Sequence, residues 1–182
     1  SAARVYTAVR DIYELLLLDV RATIEKRGPS IDIIRRVSET AFVPIAYGGG
    51  ITTADEASAC IAAGAEKVVL GSAPILNAEP LGTLIERIAE REGPNAVVVS
   101  VDFRRVGGFP KVVVRSGTLL TSMGIEEWCA LAVKRGAGEI LLQSIDRDGT
   151  LGGYDLDAIR AVSHFGVRPV ASGGCGTYEH MA

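Results

Sequence analysis

An α/β fold built on a buried parallel sheet is what this 182-residue chain predicts, and three features predict it. Apolar runs of strand length alternate with segments of helical spacing along the whole chain. The runs lack strict alternation of apolar and polar residues, so both faces of each strand should be covered, as in parallel sheets. A motif from the first half also returns in the second half.

The strand runs are ELLLLDV (14–20), VPIAYGG (43–49), KVVLGS (67–72), AVVVSVDF (96–103), EILLQSID (139–146) and RPVASGG (168–174). Helical patterns separate them over Ile31 to Glu39, Ala54 to Ala63, Leu81 to Glu92, Ile125 to Lys134 and Leu156 to Ser163. Thr53 and Asp155 suit N-caps, because a short oxygen-bearing side chain accepts from the first free backbone N–H groups. Gly64, Gly93, Gly136 and Gly166 stand where helices should stop.

The repeated motif chooses between an open sheet and a closed one. VPIAYGGG (43–50) resembles RPVASGGC (168–175): a proline enters each strand and paired glycines leave it. Each follows a strand ending in an aspartate, Asp19 or Asp146. Two similar halves favour a (β/α)8 barrel with pseudo-twofold symmetry. Six strands are legible where eight are needed, so the first and last strands are expected to be missing, and residues 1–182 should form one barrel domain incomplete at both ends. The stretch SAARVYTAVR is long enough for a short helix and too short for a strand with a full crossover.

Composition narrows the function. With 48% hydrophobic residues, 23% charged residues and a net charge of −3, the chain has no general attraction for nucleic acid or an anionic membrane. No apolar run reaches the roughly 18–20 residues of a membrane span, and no secretory pattern opens the sequence, so a cytoplasmic location is expected. Cys60, Cys129 and Cys175 are widely spaced and pair with no histidine motif, which argues for reduced thiols and against a zinc site. No metal and no cofactor are expected. His164 and His180 are the only histidines, so a histidine base is not the leading idea.

Barrel enzymes work at the carboxyl ends of their strands. Here those ends carry Asp19, Gly48-Gly49-Gly50, Gly71-Ser72, Asp102, Ser144 to Thr150 (with Asp146, Asp148 and Gly149), and Ser172-Gly173-Gly174. Glycines let backbone N–H groups approach an anion. Glycine-rich ends in both halves therefore point to a small-molecule substrate phosphorylated at both ends. Asp102 leaves the most apolar strand straight into this mouth, where a carboxylate can act as general acid or base. The alternative for Asp102 is a structural ion pair with Arg104 or Arg105.

The segments YGGGI, GAEKVVLGSAPI, VVSVDFRR, GAGEILLQSIDRDGTLGGYD and VASGGCG together resemble the cyclase subunit of imidazole glycerol phosphate synthase, a family of histidine biosynthesis. The resemblance implies a glutaminase partner whose ammonia passes through the barrel. It implies a ribulosyl-formimino precursor with two phosphates as substrate. The products would be imidazole glycerol phosphate and an aminoimidazole carboxamide ribonucleotide. It matches Asp102 with one of two catalytic aspartates. Gly50, Gly71 and Ser72, beside Gly49, match one phosphate site; Asp148, Gly149, Gly173 and Gly174 match the other. Asp19 and Ser144 match further mouth residues. At the opposite end, Glu14, Lys67 and Glu139 match charges around the ammonia entrance, and Glu66 an acid at the glutaminase interface.

The departures are specific. The second catalytic aspartate, a nearby lysine and one basic member of the entrance ring belong to a first strand absent here. Gly71 replaces the family's usual Asn, Gln143 its Thr, and Tyr47 a small aliphatic residue. LLLLD and AYGGGI are closer to paralogues linked to surface-polysaccharide genes, which leaves open a component supplying ammonia for sugar amidation; the absent first strand leaves open an inactive barrel that only binds a partner.

Overall fold

The computed structural model describes residues 13–181, so the expectation for SAARVYTAVR lies outside the described residues. Eight strands form one sheet: β1 (Leu15–Leu18), β2 (Ile45–Gly48), β3 (Lys67–Leu70), β4 (Val97–Val106), β5 (Phe109–Val114), β6 (Leu119–Gly124), β7 (Glu139–Ser144) and β8 (Arg168–Ser172). The six anticipated strands are β1, β2, β3, β4, β7 and β8, parallel and hydrogen-bonded in that order. This is the sheet of a (β/α)8-barrel fold, and each of its crossovers carries a helix.

The helices are α1 (Ile31–Ser38), α2 (Ala54–Ala62), α3 (Ala73–Leu76), α4 (Thr83–Glu92), α5 (Ile125–Lys134) and α6 (Leu156–Val162). Thr53 caps α2 in a capping box, accepting from the Glu56 N–H while the Glu56 carboxylate accepts from the Thr53 N–H. Asp155 caps α6 by accepting from the Ala158 N–H. The short α3 has no counterpart in the sequence reading.

A β-hairpin is the larger addition. β4 runs three residues past its expected end, and β5 folds back on it antiparallel, with Val106 paired to Phe109. Gly107 and Gly108 between them have φ of +58° and +86°, as a type I′ turn requires. β5 then pairs antiparallel with β6, so the hairpin extends from the carboxyl end of β4.

Burial of both strand faces explains the missing alternation. One face packs Tyr47, Val68, Leu70, Val97, Val99, Val101, Ile140 and Leu142 against helical Ile34, Cys60, Ile85, Ile88, Trp128 and Cys129. The other face carries a separate buried cluster of Ala46, Val69, Val98 and Leu141. Side chains two apart on a strand share a face. Glu139, Leu141 and Gln143 therefore form one column on the inner face of β7. Lys67 and Val69 lead to Gly71 along β3, and Val98, Ser100 and Asp102 climb β4. Each column runs from the foot of the sheet through an apolar layer to the mouth.

Candidate active site

The mouth holds a cavity of about 750 Å³. Asp19, Gly49, Gly50, Gly71, Ser72, Asp102 and Asp148 all line it, which brings residues from five strand ends around one space. Gly149, Ser172, Gly173, Gly174, Ser144 and Asp146 lie outside that lining. Strand parity accounts for Ser144: it follows Gln143 on β7, so it faces the helix layer, and it is buried there.

Asp146 is occupied elsewhere. Its Oδ2 accepts the Arg105 backbone N–H at 2.7 Å, and its Oδ1 lies 3.5 Å from Arg104 Nε. The Arg105 guanidinium donates from two nitrogens to the buried Asp155 carboxylate, at 2.8 and 2.7 Å. Both arginines are thus engaged away from Asp102, and the ion-pair alternative for that residue does not hold.

Asp102 has no cationic partner among the described residues. Burial raises the pKa of its carboxyl, and the single opposing contact is the Ser100 hydroxyl, which donates at 3.0 Å. A carboxylate set in this way is a stronger base than an exposed aspartate. Ser100 escaped the sequence reading, although its position two residues before Asp102 on one strand was a usable signal.

Asp19 lies in the opposite environment. Arg27 donates to both of its oxygens, at 2.7 and 2.9 Å, and the Ser30 hydroxyl donates at 3.1 Å. The Arg27 hydrogen bonds hold the Asp19 pKa below its ordinary value, so this acid stays ionised. The buried Tyr47 completes the network, its hydroxyl accepting from the Ser30 N–H at 2.8 Å. Asp19 is a fixed anion that keeps a guanidinium at the mouth.

The paired glycines are sterically required. Gly49 has φ +120°, and a Cβ there would stand 2.4 Å from the Asp19 carbonyl oxygen. Gly173 has φ +86°, and its Cβ would stand 2.4 Å from the Ser144 carbonyl oxygen. The two contacts correct the register of the repeat. The structural counterpart of Asp19 is Ser144 and not Asp146, and each stands 25 positions before its proline (44 − 19 = 25, 169 − 144 = 25). Gly71 differs from these glycines, because a Cβ there would meet nothing within 4 Å.

At the foot of the sheet, the Lys67 ammonium donates to Glu14 Oε2 at 2.9 Å and to Glu139 Oε1 at 2.8 Å. The expected charge cluster is present. Glu14 Oε1 is buried with no hydrogen-bond partner among the described residues. Glu66 is exposed beside a groove of about 340 Å³ that also takes in Pro44 and the strongly exposed Phe42.

A parallel (β/α) sheet with glycine-lined strand ends and an unpaired acid at the mouth defines a protein of the (β/α)-barrel class. A profile of the family described as histidine biosynthesis protein matches residues 1–182. The chain belongs to that family. Among similar proteins is the imidazole glycerol phosphate synthase subunit HisF of Cytophaga hutchinsonii, 39% identical over 169 residues, covering 92% of this chain and 66% of that protein. The protein of the same name from Acidobacterium capsulatum is 43% identical over 170 residues, covering 93% and 66%. That from Streptomyces avermitilis is 42% identical over 181 residues, covering 98% and 70%. The chain therefore spans about two thirds of the length of these relatives. Among the described residues, no helix is long and apolar enough to cross a membrane.

Proposed function

We propose that this chain is the greater part of an ammonia-dependent cyclase, the synthase subunit that forms imidazole glycerol phosphate and an aminoimidazole carboxamide ribonucleotide from a bisphosphorylated ribulosyl-formimino precursor. One observation carries the reading: Asp102, free of any cation among the described residues, shares a cavity with the backbone of Gly49, Gly50 and Gly71 and with Ser72. The glycine rim anchors a phosphate, and Asp102 takes up and returns protons as ammonia is joined and the ring closes. Gly149, Gly173 and Gly174 would anchor the second phosphate on the other side of the mouth.

The foot of the same inner face suits the nitrogen supply. Ammonia is small and neutral, so the apolar layer of Ala46, Val69, Val98 and Leu141 presents no charge to hold it. The Lys67 cluster below that layer would part to admit it. A glutaminase partner docking on this face would cover Glu66 and the exposed Phe42. The relatives named above carry the name imidazole glycerol phosphate synthase subunit HisF, and among the described residues no contact favours sugar amidation instead.

The test compares nitrogen sources on the complete protein given the bisphosphate precursor. Turnover with ammonium salt alone, and with glutamine only when a glutaminase is added, is the expected result. Failure with both sources refutes the proposal.

A further inference from the structure

The turn joining β5 to β6 is more constrained than a hairpin needs. Arg115, Ser116 and Gly117 have φ of +53°, +54° and +80°, so two residues with side chains lie in the left-handed region. That conformation is unfavourable for any residue with a Cβ, and four-residue hairpin loops commonly close around an ordinary type I turn instead. Strain of this kind persists only where surrounding contacts enforce it.

The contacts are specific. The Arg115 backbone N–H donates to Ser72 Oγ at 2.8 Å, tying the turn to the end of β3. Gly117 packs against Ile145 just past the end of β7, where an added Cβ would stand 2.9 Å from Ile145 Cδ1. The Thr118 hydroxyl closes the turn by donating to the Arg115 carbonyl at 2.7 Å. Because β4 lies between β3 and β7, the turn spans the strand that carries Asp102. Ser116 lines the cavity. Among the described residues, the N–H groups of Ser116 and Gly117 make no hydrogen bond.

We propose that this turn is a further substrate-binding element, with the Ser116 hydroxyl donating to the phosphoryl group held at Gly50, Gly71 and Ser72. Arg115 acts as a positioning residue through its main chain: once Ser72 Oγ accepts the Arg115 N–H, the Ser72 proton is left to point at the anion. The inference rests on the two-phosphate reading above and adds a donor that no glycine motif announces.

The experiment titrates inorganic phosphate into the full chain and follows backbone amide resonances. Those of Gly50, Gly71 and Ser72 report one site, and those of Gly149 and Gly174 the other. Ser116→Gly and Ser116→Ala should each weaken phosphate at the first site about tenfold, the loss of one charge-assisted hydrogen bond, and leave the second site unchanged. Ser116→Gly should also melt no lower than wild type, since glycine adopts φ near +54° without strain. Wild-type affinity at the first site in both variants overturns the inference, as does a loss with glycine but not with alanine. A wild-type chain that binds phosphate at neither site overturns the two-phosphate reading together with the inference.

Discussion

Lys67→Met removes the charge at the foot of the sheet and keeps most of the side-chain stem. The Lys67, Glu139 and Glu14 side chains are 18%, 25% and 32% exposed, so the pairs are neither surface nor fully buried. An exposed pair contributes about 0.2–1 kcal/mol, and breaking a fully buried one costs about 3–5 kcal/mol. Two pairs at intermediate burial, with two carboxylates left facing each other, place the cost at about 1–3 kcal/mol. Urea unfolding at pH 7 measures it. Adding Glu14→Gln and Glu139→Gln to Lys67→Met should recover most of the loss, because no unpaired charge then remains. The pH dependence has a definite sign. Burial lowers the Lys67 pKa, but hydrogen bonds from the ammonium to Glu139 and Glu14 outweigh it, and the net effect is upward. A raised folded value means the stabilisation is complete below the unfolded pKa of about 10.4 and is lost as pH rises through the folded one. The difference between wild type and Lys67→Met should be flat through neutral pH and shrink only in strong alkali. A Lys67→Met chain within about 0.3 kcal/mol of wild type, well under the exposed-pair ceiling, would refute the ionic clasp.

Other outcomes follow from the mouth. Gly173→Ala should cost at least about 2 kcal/mol in chemical denaturation, because φ +86° and the Ser144 carbonyl both exclude a Cβ. Gly71→Asn should fold as well as wild type, since its Cβ enters open space, and cyclase turnover should not fall. Asp102→Asn should be more stable than wild type at neutral pH. Burial raises the Asp102 pKa, so its contribution to stability is intact below the unfolded value of about 3.9 and declines as pH rises through the folded one. Denaturation midpoints of the two chains should converge toward pH 3 and separate above it.

The parallel frame was legible because buried strands and capped helices are local statements: KVVLGS and the Thr53–Glu56 box each announce their own element. The hairpin was legible in principle, as Gly107-Gly108 between apolar residues is a turn signal, yet the sequence reading assigns no element between Phe103 and Ile125. The partners of Asp102 were not legible. Arg104 and Arg105 stand two and three residues after it in the chain, and contacts to Asp146 and Asp155 draw them away. Ser72 is matched with Gly50 and Gly71 to a phosphate site, but its contact with Arg115 was not legible, because it spans 43 positions that no local pattern connects.

The central claim is that Asp102 exchanges protons with a bisphosphorylated substrate, and turnover of the complete Asp102→Asn protein with ammonium salt tests it most directly. The amide keeps the shape and the Ser100 contact but cannot act as a base, so kcat should fall about 100-fold to 10,000-fold while substrate affinity stays close to wild type. Near-normal turnover in that variant would make Asp102 a structural acid and contradict the assignment.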